Sequence, residues 1–282
     1  MKLDDFESVF RSAVKTRFRY EKPTLDSILL VTDMDESRTD EALEKVQRFL
    51  SHGHQGEVEW STMAAHQFSE VANVLDRVRR NPPGMVVCYR HLLGEGAKLP
   101  YSLGSTVDTL TQATDTPVLL LPRPSDEGIE LPTDTKRVMV VTDHITGDDH
   151  LVSWAVFLCA DEGQLYLTHI EDKNILNKYI DVLSKIPGLE TELIVEKLPK
   201  KLLSIPKDYI ASTAQALEEL GIHENVQSIV RIGLPMKEYQ SLIKDHEIDL
   251  LVMNTKDEGQ SAMDALAYAL SVEIRDCPLL LL

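Results

Sequence analysis

The sequence predicts an α/β protein of two tandem doubly wound parallel-sheet domains, the first lacking about one βα unit. Three observations predict this. The chain is written twice: "ILLVTD" (Ile28 to Asp33) returns as "VMVVTD" (Val138 to Asp143), and "DTPVLLLP" (Asp115 to Pro122) returns as "DCPLLLL" (Asp276 to Leu282), in the same order. Between these anchors, apolar runs of strand length alternate with amphipathic stretches of helical length, which is the pattern of βαβ units and a sheet covered on both faces. The copies differ in length: Pro117 follows Asp33 by 84 positions and Pro278 follows Asp143 by 135, a difference of about one βα unit.

Residues 1–25 read as a helical leader. Leu3, Phe6, Phe10 and Val14 share one helical face, and Arg11, Lys15, Arg17 and Arg19 cluster beyond it. Such a face suits docking on the acidic body or on a partner subunit; a membrane surface or an acidic partner is the second reading. The first domain, 26–124, opens with the strand "ILLVTD", which delivers Thr32 and Asp33 at its carboxyl end. Ala42, Leu43, Val46, Phe49 and Leu50 then recur at helical spacing, followed by "EVEWSTMAA" as a strand, "SEVANVLDRVRRN" as a helix and "GMVVCYR" as a buried strand. A Gly-rich loop, "LLGEGAKLPYSLGST", leads into the helix "VDTLTQAT" and the closing strand.

The Pro, Gly and acidic content of 125–136 marks an exposed linker. In the second domain, 137–282, the acidic "TGDD" suits a helix start after "VMVVTD". "QLYLTHIED" is a strand, helical text ends at "YIASTAQALEELGI", and "NVQSIVRIG" is a strand. "LPMKEYQSLIKDHEI" is a helix, "DLLVMNT" a buried strand and "SAMDALAYALSVEIRD" the last helix.

The two leucine-rich closing strands raise a packing question, because an exposed apolar edge is an aggregation hazard. Pairing Val118 to Leu121 with Leu279 to Leu282 would remove both edges and make an internal pseudo-dimer; alternatively each half covers its own edge. A homodimer is compatible with either.

A formal charge of −17 on 282 residues argues against nucleic acid and anionic membrane as partners and favours cationic ones. The N-terminus lacks the basic-then-apolar layout of a signal peptide, and no apolar run approaches the roughly 18 residues of a membrane helix. A soluble cytoplasmic protein is expected. Cys88, Cys159 and Cys277 lie in or beside apolar stretches and read as reduced, buried thiols.

Candidate chemistry gathers at the strand ends and the Gly-rich loop. Gly94, Gly96 and Gly104 permit close approach of backbone amides to an anion, and Gly104, Ser105 and Thr106 open a helix whose dipole favours phosphate. The same residues also read as an ordinary loop-to-helix junction. Counting back from the Pro of each closing strand aligns Ala265, Leu266 and Ala267 with Gly104, Ser105 and Thr106, which leaves only Gly259 of that set in the second half. Asp33 and Asp143 are candidate ligands or helix-capping carboxylates, with Thr32 and Thr142 beside them. "DHITGDDH" (Asp143, His144, Asp148, Asp149, His150) and "SHGH" (His52, His54) read first as solvated turns and only second as metal sites, so no metal is assigned. No Walker loop, nucleophile elbow or dinucleotide fingerprint occurs, and no catalytic residue is assigned.

Two strands ending in Thr-Asp, a "GST" helix start, Pro-aliphatic closing strands and "RIGLPMKEYQSLIKDHEIDLLVMNT" resemble the universal stress protein family in its tandem form, over about residues 26–282. The resemblance implies a five-stranded α/β fold, pairing through last strands, and in one subgroup ATP or a related nucleotide at the carboxyl ends of the strands. It also implies Asp33 and Asp143 as the carboxylates beside that nucleotide. The family loop has two residues between its first glycines and nine before Gly-Ser or Gly-Thr. Here one residue separates Gly94 from Gly96 and seven separate Gly96 from Gly104. The expected protein is therefore a non-catalytic binding or signalling module in stress adaptation, with at most one degenerate site for ATP or AMP. A weak ATPase using Asp33 and the Gly94 to Thr106 loop, and a ligand-free scaffold, are the alternatives.

Overall fold

The computed structural model describes residues 17–51, 57–97, 101–123, 130–142, 145–188, 190–222, 225–256 and 263–282, with 95–97 described by backbone alone. Among the described residues the first half has four strands: β1 Ser27–Val31, β2 Glu59–Met63, β3 Met85–Tyr89 and β4 Val118–Leu121. The second half has five: β5 Arg137–Val140, β6 Gln164–Asp172, β7 Val226–Gly233, β8 Leu250–Met253 and β9 Leu279–Leu281. They form one sheet in the order β2-β1-β3-β4-β9-β8-β5-β6-β7. Among the described residues the first half thus has no counterpart of β7, the outermost strand of the second.

Every neighbouring pair is parallel except β4 with β9. There Val118 faces Leu281, Leu119 faces Leu280 and Leu120 faces Leu279. Leu119 and Leu280 hold the same place in the two copies of the Pro-aliphatic strand, so this pair lies on the pseudo-twofold axis relating the halves. The closing strands therefore cover each other instead of being shielded by unrelated segments. Leu119, Leu120, Leu279 and Leu280 are fully buried, each worth about 1.5–3 kcal/mol of transfer free energy.

Helices follow the strands. In the first half these are α1 Glu36–Phe49, α2 Val71–Arg80 and α3 Ser105–Ala113. Asp35 caps α1 by accepting from the Arg38 amide at 3.0 Å, and the face bearing Ala42, Val46 and Phe49 is buried. In the second half they are α4 Asp149–Leu158, α5 Lys173–Leu183, α6 Thr191–Leu220, α7 Pro235–Asp245 and α8 Ala265–Glu273. α6 is 30 residues long with Pro199 and Pro206 inside it, and it ends at Gly221 in the left-handed region, the conformation glycine adopts without a Cβ clash. α8 starts later than the apolar pattern suggests because Asp264 caps it.

Two cations tie the halves together across the join. The buried Arg90, just beyond β3, donates from Nη1 to the Ser271 carbonyl and from Nη2 to the Ile274 carbonyl at the end of α8. Lys256, just beyond β8, donates to the Gln112 carbonyl at the end of α3 at 3.2 Å. Each helix thus presents its electron-rich carbonyl end to a cation from the other half.

Candidate functional site

At the carboxyl end of β1 the two polar residues part ways. Thr32 is fully buried and its hydroxyl lies 2.7 Å from that of Thr39 in α1, so it fastens the helix to the strand. Asp33 points into the loop that follows β3: its carboxylate accepts from the Leu93 amide at 3.1 Å and lies 3.3 Å from Arg123 Nη2. The side chains of Asp33 and Arg123 are 20% and 26% exposed, so water screens this ion pair less than one on the open surface.

Arg123 also donates from Nη1 to the His91 carbonyl, and His91 Nε2 donates to the Ser102 carbonyl at 2.6 Å. Leu93 on one side of the Gly-rich segment and Ser102 on the other are thereby tied to the strand end. Gly94 has φ 73° with open space around a would-be Cβ, so its glycine meets a conformational need and not a steric one. Gly96 lies in the 3-10 turn Leu92–Ala97.

Gly104, with φ 91° and ψ 149°, stands just ahead of α3 and contributes no side-chain cap. Ser105 is half-buried at the first helical position. Thr106 is 1% exposed, and its hydroxyl oxygen has no hydrogen-bond partner among the described residues. A buried hydroxyl left in that state costs about 1–3 kcal/mol. The first half therefore brings Asp33, Gly94 and, through His91 and Ser102, the Gly104 to Thr106 turn into one connected region.

In the equivalent region of the second half, the described polar groups bond to one another. The Thr142 carbonyl accepts from the buried Tyr239 hydroxyl at 3.0 Å; Asp143 and Gly259 lie outside the described residues. Asp264 accepts from the amides of Leu266 and Ala267 at 2.8 and 3.2 Å, which places a carboxylate over the start of α8. A phosphate approaching that helix end would meet like charge on amides already engaged.

The acidic turn before α4 is also engaged. Asp148 accepts from the Leu151 amide at 3.1 Å and the Asn254 side-chain amide at 2.6 Å, and burial pushes its carboxyl above the ordinary value. Asp149 accepts from the Tyr209 hydroxyl at 2.6 Å, and His150 Nε2 accepts from Trp154 Nε1 at 3.2 Å. His144, His52 and His54 fall outside the described residues. Cys88, Cys159 and Cys277 are buried free thiols; burial pushes Cys88 and Cys159 up to about 12 and Cys277 higher still, so thiolate chemistry at neutral pH is suppressed.

Sequence reasoning missed Arg123 and Asp264. Arg123 reads as the first residue of a connector, and nothing in the pattern announces that it turns back to Asp33. Asp264 did carry a signal, since Asp immediately before an apolar helical run marks an N-cap. Among the described residues no helix is long and apolar enough to cross a membrane.

The universal stress protein family model matches residues 134–267, within the half that keeps five strands. Among solved structures, the chain is similar to a Pseudomonas aeruginosa protein described as functionally unknown: TM-score 0.54, 12% identity, covering 92% of this chain and 93% of that one. It is also similar to a universal stress protein from Archaeoglobus fulgidus: TM-score 0.50, 14% identity, covering 90% and 95% respectively. At such identities these likenesses speak to the fold, and they extend over both halves. No curated protein matches. The universal stress protein family pattern thus lies in residues 134–267, and the first half builds the same layer again.

Proposed function

We propose that this protein is a non-catalytic binding or signalling module of stress adaptation, acting in the cytoplasm, with at most one degenerate adenine-nucleotide site, in its first half. The observation that carries the reading is the contrast between the two helix starts. Asp264 closes the start of α8 with the chain's own carboxylate, whereas Gly104 brings no cap to α3 and the Thr106 hydroxyl is left unpartnered beneath it. Arg123 supports the same assignment. By pairing with Asp33 it neutralises a carboxylate that would otherwise repel a phosphate nearby.

Thr32, Asp33, Gly94, Gly96, Gly104, Ser105 and Thr106 are the residues proposed to line this site; Thr142 and Asp143 would have that role only in a second site, which the Asp264 cap disfavours. The ligand proposed is ATP or AMP. The reading is of occupancy without turnover, and the engagement of Asp33 with Arg123 and the Leu93 amide supports it.

Nucleotide extracted from the purified protein, followed by calorimetric titration with ATP and AMP, tests this. One site per chain, weakened by Ser105→Ala and Thr106→Val and accompanied by no release of ADP, is expected. Release of ADP that both variants abolish would establish the weak ATPase instead. Absence of binding heat at millimolar nucleotide would leave the ligand-free scaffold.

A further inference from the structure

Between β6 and β7 the second half carries an apolar face turned outward. On α5, Ile175, Tyr179 and Val182 recur at steps of 4 and 3 residues, so they share one helical face, and they are 47%, 50% and 54% exposed. Ile186, 45% exposed, extends the row by one more step. Past the end of α5 the Lys185 amide still donates to the Val182 carbonyl at 3.2 Å and the Ile186 amide to the Leu183 carbonyl at 3.1 Å, so the chain keeps winding. The helix meets the body through the adjacent row instead, with Leu176 buried and Leu183 half-buried. Single exposed apolar residues are ordinary on a protein surface, but four in register along about three turns are the mark of an interaction face.

We propose that this face docks an acidic amphipathic helix of a partner protein. Charge names the occupant. Lys178 and Lys185, both exposed and seven residues apart, border the stripe on the side away from Leu176 and Leu183. Lys185 lies 2.7 Å from Asp181, an exposed i,i+4 pair that a partner's carboxylate can replace at little cost. From Lys173 to Lys207, through α5 and the N-terminal part of α6, seven lysines stand against four acidic residues. That is a local charge of +3 in a chain of −17, which leaves −20 on the rest. A helix with an aliphatic stripe and carboxylates seven residues apart would cover the apolar row and set an acid beside each bordering lysine. A second copy fits worse. Antiparallel pairing of two stripes sets Ile175 against Ile186 and Tyr179 against Val182, which brings Lys178 of each chain beside Lys185 of the other, on molecules that each carry −17. An anionic membrane would attract these lysines but repel the much larger negative charge of the body.

Two synthetic peptides of about three heptads, titrated into the full-length protein, test this. One has leucine at the a and d positions and glutamate at the positions flanking them; its twin has lysine in place of glutamate. The glutamate peptide is expected to bind one per chain, and the lysine peptide on the order of tenfold more weakly. Lys178→Glu with Lys185→Glu, both on the open surface, is expected to invert that preference. Tyr179→Ser with Val182→Ser is expected to abolish binding of either peptide, and should those serines unfold α5, the charge reversal decides alone. Equal binding of the two peptides, no binding at about 1 mM, or a preference that charge reversal leaves in place overturns the proposal. Sedimentation showing a dimer that Tyr179→Ser with Val182→Ser dissolves would give the face to a second copy. Binding to phosphatidylglycerol vesicles that the same variant loses would give it to a membrane, and either result overturns the proposal too.

Discussion

The floors of the two half-sheets hold the same place in the fold and are fastened by different chemistry. In the second half Arg137 at the start of β5 grips Asp249 ahead of β8: Nε and Nη2 reach the two carboxylate oxygens at 3.0 and 2.8 Å, the Arg137 amide donates at 2.8 Å, and Nη1 reaches Glu247 at 2.6 Å. The matching positions in the first half are Ser27 and Gly84, joined by one bond from the Gly84 amide to the Ser27 hydroxyl at 3.2 Å. The tops differ in the same sense, with Asp264 capping α8 and nothing on Gly104 capping α3. The five-stranded half thus closes its floor and the start of α8 with carboxylates, whereas in the four-stranded half the floor bond is neutral, α3 has no side-chain cap, and the ionic closure is the Asp33–Arg123 pair at the strand end.

The floor gives the largest test. Asp249→Ala strips a half-buried guanidinium and a backbone amide of their acceptor, and should cost about 3 kcal/mol in urea unfolding. Its counterpart Ser27→Ala loses one neutral bond and should cost about 1 kcal/mol. Equal losses would mean that the ionic clasp contributes no more than a hydroxyl and would break the comparison.

The cations across the join sharpen it next. Arg90→Ala removes a buried donor from two carbonyls and should cost about 2–3 kcal/mol, nearly independent of salt. Lys256→Ala, at an exposed helix end, should cost a few tenths of a kcal/mol, and even that should fade at high ionic strength. A salt-sensitive Arg90→Ala would contradict the burial on which the distinction rests.

How much of this was legible in the sequence follows from the range of each force. The β4–β9 join could be read because Val118 to Leu121 and Leu279 to Leu281 are continuous apolar runs with a Pro at the start, and burial is a property of the run itself. The shortened first half was equally plain from spacing. The site was only partly legible. Thr32 and Asp33 are adjacent and alternate across the strand end, yet only one can face the loop, and the pattern does not say which. Arg123 reaches Asp33 across 90 positions of sequence and Arg90 reaches Ser271 across 181, and long side chains leave no periodic trace of where they end. Resemblance supplied the expectation of a Gly-rich phosphate loop, but the left-handed turns at His91, Leu93 and Gly94 that fold it onto Asp33 are tertiary choices.

At the helix starts the effects are smaller and opposite in sign. Asp264→Ala removes a cap and should cost about 1 kcal/mol. Thr106→Val removes an unpartnered buried hydroxyl at nearly constant volume and should stabilise the nucleotide-free protein by about 1 kcal/mol. A loss of stability in Thr106→Val would mean that the hydroxyl has a structural partner, such as bound water, and would withdraw it from the proposed site.

Asp148 supplies the last test, through pH. Burial raises its carboxyl in the folded protein above the ordinary 3.8, while the Leu151 amide and the Asn254 side chain pull it back, so the net effect is modest. The folded state then holds this proton more tightly than the unfolded chain does. Stability from this group is present below the ordinary value and is lost as pH rises through the raised one. Asp148→Asn keeps an N-cap oxygen for Leu151 and removes the charge, so its stability relative to the unaltered protein should improve between about pH 3 and pH 7. A relative stability that falls over that interval would show the ionised carboxylate to be favoured by Asn254 and the helix dipole, and the second half would then share the first half's capacity to hold a buried charge at its strand ends.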